Sequence, residues 1–280
     1  ILSHRYDNEN QLIKIKHKNL IKEINLNLIG KIQIKNILMA AMAAQKSNLN
    51  FENILNVLQE LKPVEGRLEK IGTIKNNSIV ILDYAHTPDA LKVCLLNIKE
   101  QFPDKKLNLL FGCGGNRDQN KRMKMGKIAS IYADNIYLTD DNPRYENPIK
   151  IRKDIKKGLK VKKIKEISNR SIAISEAIKN LKSGDVLVVA GKGHENIQEI
   201  GKKKIKFSDR KKILIEIQKK NKNLSNQLKI NIIKELSKNQ KLSNSISINK
   251  VRINSNEVKK NDVFFAIKGK VNDGNKFVSQ

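Results

Sequence analysis

Four short apolar runs punctuate the middle of the chain: Ile79 to Asp83, Leu107 to Phe111, Ile136 to Thr139 and Val186 to Ala190. Each is too short for a helix and, being made mainly of Ile, Val, Leu or Phe, reads as a strand buried on both faces. Around them apolar residues recur at helical spacing. This predicts helices from Pro88, over Lys121 to Ala133, over Ile149 to Leu159, over Ser171 to Leu181 and from Asp209. Such alternation of strand and helix predicts an α/β fold with a mostly parallel sheet covered on both faces. In open sheets of that kind ligands sit beyond the carboxyl ends of the strands.

The flanks follow other patterns. Ile24 to Leu28 alternates as a half-exposed strand does, and helical spacing follows over Ile34 to Ala44 and Phe51 to Leu61. Pro63 closes that segment. Residues 1–62 therefore read as the tail of one domain and 63–220 as a whole domain. The polar, lysine- and asparagine-rich residues 221–227 read as a linker. A helix near Leu228 to Leu236 opens a last piece, 228–280.

With 39% hydrophobic residues in 280, the chain can bury cores. The formal charge of +28, from 56 Lys+Arg against 28 Asp+Glu, would ordinarily point to nucleic acid or an anionic membrane. Only nine of those cations are arginine, the lysines are spread along the chain, and aromatic content is 4% with no Trp. Stacking platforms for single strands are therefore scarce, and no nucleic-acid partner is expected. Cys94 and Cys113 form no CxxC pair and the four histidines are scattered, so neither a disulfide framework nor a zinc site is indicated. No apolar stretch is long enough to span a bilayer. A cytoplasmic monomer is the expectation.

The candidate chemistry falls at the ends of the four predicted strands: DYAHTPDAL (83–91), GCGGNRDQNKR (112–122), DNPR (141–144) and AGKGHE (190–195). In DNPR, Pro143 fixes its own φ and pushes Asn142 out of the helical region, so the turn is stiff. An acid, an amide and an arginine on a stiff turn can hold a small zwitterion by both charges; ordinary turn chemistry accounts for the same four residues. Gly112, Gly114 and Gly115 allow close backbone approach to a ligand, and Arg117 and Arg122 offer forks for a carboxylate or phosphate. Cys113 reads as filling a small site. GxxxxGK[ST] occurs nowhere in the chain. Asp83 can be a helix cap and Arg67 a surface cation.

GRLE (66–69), DYAHTPDAL, GCGGNRD, DNPR and AGKGHE, in this order and spacing over about residues 24–217, resemble the Mur ligases. Within that family the likeness is to the branch that adds meso-diaminopimelate to UDP-N-acetylmuramoyl-L-alanyl-D-glutamate. The resemblance implies a dinucleotide-fold-like C-terminal domain at 63–220, preceded at 1–62 by the tail of a central ATPase domain. It implies ATP and Mg²⁺ as cofactors, an acyl-phosphate route to the amide bond, and a place in peptidoglycan synthesis, hence in cell shape and division. Arg117 and Arg144 would bind the distal carboxylate of the amino acid. Asp141, Asn142 and Glu195 would hold its distal ammonium, with Pro143 in the same turn and Gly191 giving close access. Asn36, Arg67, Asp83 and His86 would face ATP, and the metal and γ-phosphate ligands would lie upstream of Ile1. His194 reads as local scaffold. Asn261 to Lys270, followed by Asn272 to Phe277, resembles the start of the N-terminal uridine-nucleotide domain of a second Mur ligase, the one adding D-Ala-D-Ala, as in a fragment of a fusion. A rival reading is a non-catalytic amino-acid- or nucleotide-binding module.

Overall fold

The computed structural model describes residues 1–160, 163–237 and 246–266. The chain divides into two compact units, Ile1–Ile217 and Gln218–Gln280. The first opens with an antiparallel meander, β1 (Ser3–Asp7), β2 (Asn10–His17) and β3 (Leu20–Leu26). Asn8 and Lys18 turn its corners at positive φ, as tight hairpins require. Helices α1 (Lys31–Lys46) and α2 (Phe51–Val57) follow. Ile13, Ile24, Ile34, Ile37 and Leu55 form their shared core.

Next come β4 (Glu69–Thr73), β5 (Ile79–Asp83), α3 (Pro88–Gln101), β6 (Leu107–Phe111), α4 (Asn120–Tyr132), β7 (Asn135–Leu138) and α5 (Pro148–Lys156). They are followed by β8 (Lys163–Glu166), α6 (Arg170–Asn180), β9 (Val186–Ala190), the hairpin β10 (Ile197–Ile200) and β11 (Lys203–Lys206), and α7 (Asp209–Ser237). The six-stranded sheet has the order β4-β5-β9-β6-β7-β8 and is parallel apart from β4. This is the expected mostly parallel α/β architecture.

Each of the four predicted strands is buried along its length because both faces are covered. Ile79, Ile81, Leu107, Leu109, Val186 and Val188 share a core with Leu91, Leu95 and Ile98 of α3 and with Met125 and Ala129 of α4. By the strand's period of two, the intervening residues face the other side, where α6 lies against β6, β7 and β9.

Two expectations change. The junction expected at Pro63 lies inside the first unit, because the early segment is tied to α3: Gly30 N donates to Gln101 Oε1 (2.9 Å) and Ile32 N to Asn97 Oδ1 (3.0 Å). Residues 221–227, expected as an irregular linker, are helical: they lie within α7, which joins the helices expected from Asp209 and near Leu228. Lys222, Leu224 and Gln227 favour a helix, whereas three asparagines and Ser225 do not, so the helix continues here against weak local propensity.

In the second unit Ile230, Ile233 and Ile248 form a small core, and β12 (Val251–Arg252) pairs in parallel with β13 (Val263–Phe264). Residues 267–280, which include much of the segment likened to a second ligase, lie outside the described residues. No described helix is long and apolar enough to cross a membrane.

Candidate functional site

The carboxyl ends of β5, β9, β6 and β7 face one cavity of about 570 Å³. After β7 the chain turns through Asp141-Asn142-Pro143-Arg144 and is held there by the β10–β11 hairpin. Arg144 N donates to Glu199 O (3.0 Å), Gly201 N to Arg144 O (2.7 Å), and Gln198 Nε2 to Asp141 O (2.6 Å). Arg144 adopts φ of 50°, a left-handed conformation that costs an arginine about 1 kcal/mol and persists only where neighbours impose it.

Asn142 is at the centre of this lattice. Its Nδ2 donates to Glu195 Oε2 (2.9 Å), while its Oδ1 accepts from Lys192 Nζ (2.9 Å) and Glu199 N (3.1 Å). Lys192 is fully buried and also donates to Glu195 Oε2 (2.9 Å) and Ile197 O (2.7 Å), so all three of its protons are used. Burial alone would raise the Glu195 carboxyl, but the bond and charge of Lys192 hold it below the usual carboxylate range.

Asp141 contrasts with Glu195. Its Oδ1 accepts from Asn142 N (2.7 Å), but its buried Oδ2 has no hydrogen-bond partner among the described residues. Burial pushes its pKa up, against the opposing pull of Arg170 and Lys192. Across from Oδ2, Gly191 has φ of 114°, and a Cβ there would lie 2.8 Å from that oxygen. Only glycine meets both conditions. Behind them Arg170 is fully buried and grips Asp209 through Nε–Oδ1 (2.8 Å) and Nη2–Oδ2 (2.7 Å), while Nη2 also donates to Ala190 O (3.0 Å). Its Nη1 approaches Asp141 Oδ2 at 4.0 Å.

Two cations complete the cavity. Arg144 Nη1 donates to Gly115 O (3.0 Å) and its Nε pairs with Glu199 Oε2 (2.8 Å). Arg117 is exposed, with no ion-pair partner among the described residues. Arg117, Asp141, Asn142, Arg144, Gly191 and Glu195, all expected to serve the amino acid, thus line one space. Pro143, expected with them, is buried and lies outside that lining.

The residues expected to face ATP are dispersed along one edge. His86 lines the cavity, its Nδ1 2.9 Å from Tyr84 O. Arg67 lies over the Tyr84 ring at 4.7 Å, and the rings of His86 and His194 flank the same tyrosine. Asn36 is exposed and reaches Arg67 through Gln33: Asn36 Nδ2 donates to Gln33 Oε1 (3.3 Å), and Gln33 Nε2 to Arg67 O (3.1 Å). Asp83 has a different local role. It is buried, and its oxygens accept from Leu68 N (2.7 Å) and Ala85 N (2.8 Å), pinning the GRLE loop to the end of β5. Burial raises its pKa despite those bonds.

Arg122 is not a ligand fork. It is fully buried and pairs with Glu146 (2.8 Å) and Asp154 (3.3 Å), which makes it scaffold for the glycine loop. Cys113 packs on Met125 Sδ at 3.6 Å, and burial pushes its thiol up to about 12, so it stays neutral filler. Among the described residues no group of His, Cys, Asp or Glu could hold a metal ion. Sequence reasoning missed Lys192, Glu199 and the Arg170–Asp209 pair. The clearest available signal was Lys192, set between two glycines directly after a fully apolar strand.

This cavity at the carboxyl ends of a parallel sheet accompanies a family match: residues 66–193 fit the model described as Mur ligase, glutamate ligase domain. The chain is 47% identical over 186 residues to UDP-N-acetylmuramoyl-L-alanyl-D-glutamate--2,6-diaminopimelate ligase of Rickettsia felis, covering 66% of this chain and 34% of that ligase. A solved structure of a ligase of the same name superposes with a TM-score of 0.61 at 31% identity, over 78% of this chain and 44% of that one. A MurF ligase from Thermotoga maritima, solved in complex with ADP, shares the fold at a TM-score of 0.54 and 15% identity, over 78% of this chain and 45% of that one. The chain spans about a third of the length of the Rickettsia felis relative.

Proposed function

We propose that residues 1–217 form the amino-acid-receiving part of an ATP-dependent ligase that joins meso-diaminopimelate to UDP-N-acetylmuramoyl-L-alanyl-D-glutamate in cytoplasmic peptidoglycan precursor synthesis. The observation that carries this reading is the opposition of charge around one cavity. Arg144 and Arg117 stand ready for a carboxylate, while Glu195 and the Asp141 carboxylate, whose buried Oδ2 has no hydrogen-bond partner among the described residues, can take an ammonium. A zwitterionic head fixed at both charges leaves the amine at the other end of the molecule free to attack. Asn142 serves by orienting Glu195, because its Oδ1 already accepts two bonds.

On the nucleotide side Asn36, Arg67 and His86 would meet ATP, with Asp83 holding the loop that presents Arg67. ATP supplies the activation of the acceptor carboxylate as an acyl phosphate; this chain's residues bind and orient the incoming amine. Among the described residues no three or more His, Cys, Asp or Glu side chains cluster as a metal site would, and no step is assigned to a metal here. For the second unit, the proposal is the opening of a further ligase's uridine-nucleotide domain, supported by the resemblance that includes β13.

The test is a chimera in which residues 1–217 replace the matching segment of the Rickettsia felis relative. Supplied with ATP, Mg²⁺, UDP-dipeptide and meso-diaminopimelate, it should release ADP and the UDP-tripeptide together. A folded chimera that binds the amino acid yet forms no product would favour the non-catalytic binding module.

A further inference from the structure

Glu199 occupies a position no motif singled out. It lies on β10, and its backbone is fixed on both sides of the DNPR turn: its N donates to Asn142 Oδ1 (3.1 Å) and its O accepts from Arg144 N (3.0 Å). The side chain therefore has little freedom in where it emerges. Its Oε2 pairs with Arg144 Nε at 2.8 Å, with the two side chains 25% and 23% exposed. Arg144 Nη1 is bound to Gly115 O. Nη2 makes no hydrogen bond among the described residues, and Arg144 lines the cavity.

We propose that Glu199 is a specificity-determining residue: a built-in counter-charge to Arg144 that tempers the preference for amino acids bearing a distal carboxylate. This rests on the reading of the cavity as the diaminopimelate site. With Glu199 in place, a ligand carboxylate arriving at the Nη end meets a cation already half neutralised and a second anion on the far side of the same guanidinium. With lysine in the cavity, which lacks the distal carboxylate, Arg144 still keeps a charged partner. The penalty that an unpaired, partly buried arginine would impose on lysine is therefore reduced. Both effects narrow the gap between the two amino acids.

The experiment uses the whole chain and the variant Glu199→Gln. Glutamine keeps the length and shape of the side chain and its carbonyl oxygen can face Arg144 Nε, so the charge is removed with little change of packing. Dissociation constants for meso-diaminopimelate and L-lysine are measured by calorimetry or NMR titration for both proteins. In the variant, meso-diaminopimelate should bind more tightly, and the ratio of the two constants should widen about tenfold in its favour. If the parent chain prefers meso-diaminopimelate and the ratio is unchanged or narrows in the variant, Glu199 is a structural brace and the inference fails alone. If the parent chain binds neither amino acid, the reading of the cavity fails and takes this inference with it. Glu199→Ala separates charge from bracing: a wider ratio in both variants supports the counter-charge, whereas narrowing in both overturns it.

Discussion

Lys192 Nζ lies 2.9 Å from Asn142 Oδ1, and that bond decides which end of the Asn142 amide faces Glu195. With Oδ1 turned to the lysine, Nδ2 points to the Glu195 carboxylate, so one buried cation sets the orientation of two candidate ligand residues. Replacing it with methionine keeps the volume but removes one donor each from Asn142 Oδ1, Glu195 Oε2 and Ile197 O. Lys192→Met should destabilise the first unit by about 3 kcal/mol, read as a lower urea midpoint by circular dichroism. Binding of meso-diaminopimelate should weaken in the folded variant. An unchanged midpoint would mean that the three bonds contribute little.

Arg170 and Asp209 form a fully buried pair that also supports the Ala190 carbonyl, immediately before Gly191. Removing one member strands a buried charge, so Arg170→Met or Asp209→Asn should each cost about 3–5 kcal/mol. The double variant should cost clearly less than the sum of the two. Simple additivity of the unfolding free energies would contradict a coupled pair.

Asp141 places stability and binding in opposition. Burial raises its pKa, so the folded state favours the protonated form. Its contribution to stability is present in full below the ordinary aspartate value of about 4 and is lost as pH rises through the raised value. Asp141→Asn replaces a buried carboxyl whose charged form is disfavoured by desolvation. The variant should match the parent chain at acid pH, be more stable at pH 7, and bind meso-diaminopimelate less tightly at pH 7. Thermal melts across that range together with a binding titration check this; lower stability at pH 7 would show that Arg170 and Lys192 outweigh desolvation.

The four central strands were legible because burial on both faces leaves an unbroken apolar run, as in Val186 to Ala190. β8, with the sequence Lys-Ile-Lys-Glu, and the largely exposed hairpin β10–β11 carry no such run; tertiary pairing makes them strands. The same limit applies to the site. Arg117, Asp141, Asn142, Arg144 and Glu195 stand in strand-end motifs and line one cavity, whereas Glu199 comes from the hairpin that packs back on DNPR. Lys192 is one of dozens of lysines in a chain of 56 basic residues; its place between two glycines was a weak signal, and its burial is what sets it apart. Arg122 illustrates the reverse error: a fork beside a glycine loop can serve the loop rather than a ligand.

The central claim is that Arg144 receives the distal carboxylate of a diamino diacid in this cavity. Titrating the whole chain with meso-diaminopimelate and with L-lysine, before and after Arg144→Ala, tests it most directly. The account predicts tighter binding of meso-diaminopimelate by the parent chain, a loss of about 30-fold for that ligand in the variant, and a much smaller change for lysine. Equal affinities in the parent chain, or the same loss for both ligands, would contradict it and return DNPR to the role of a turn.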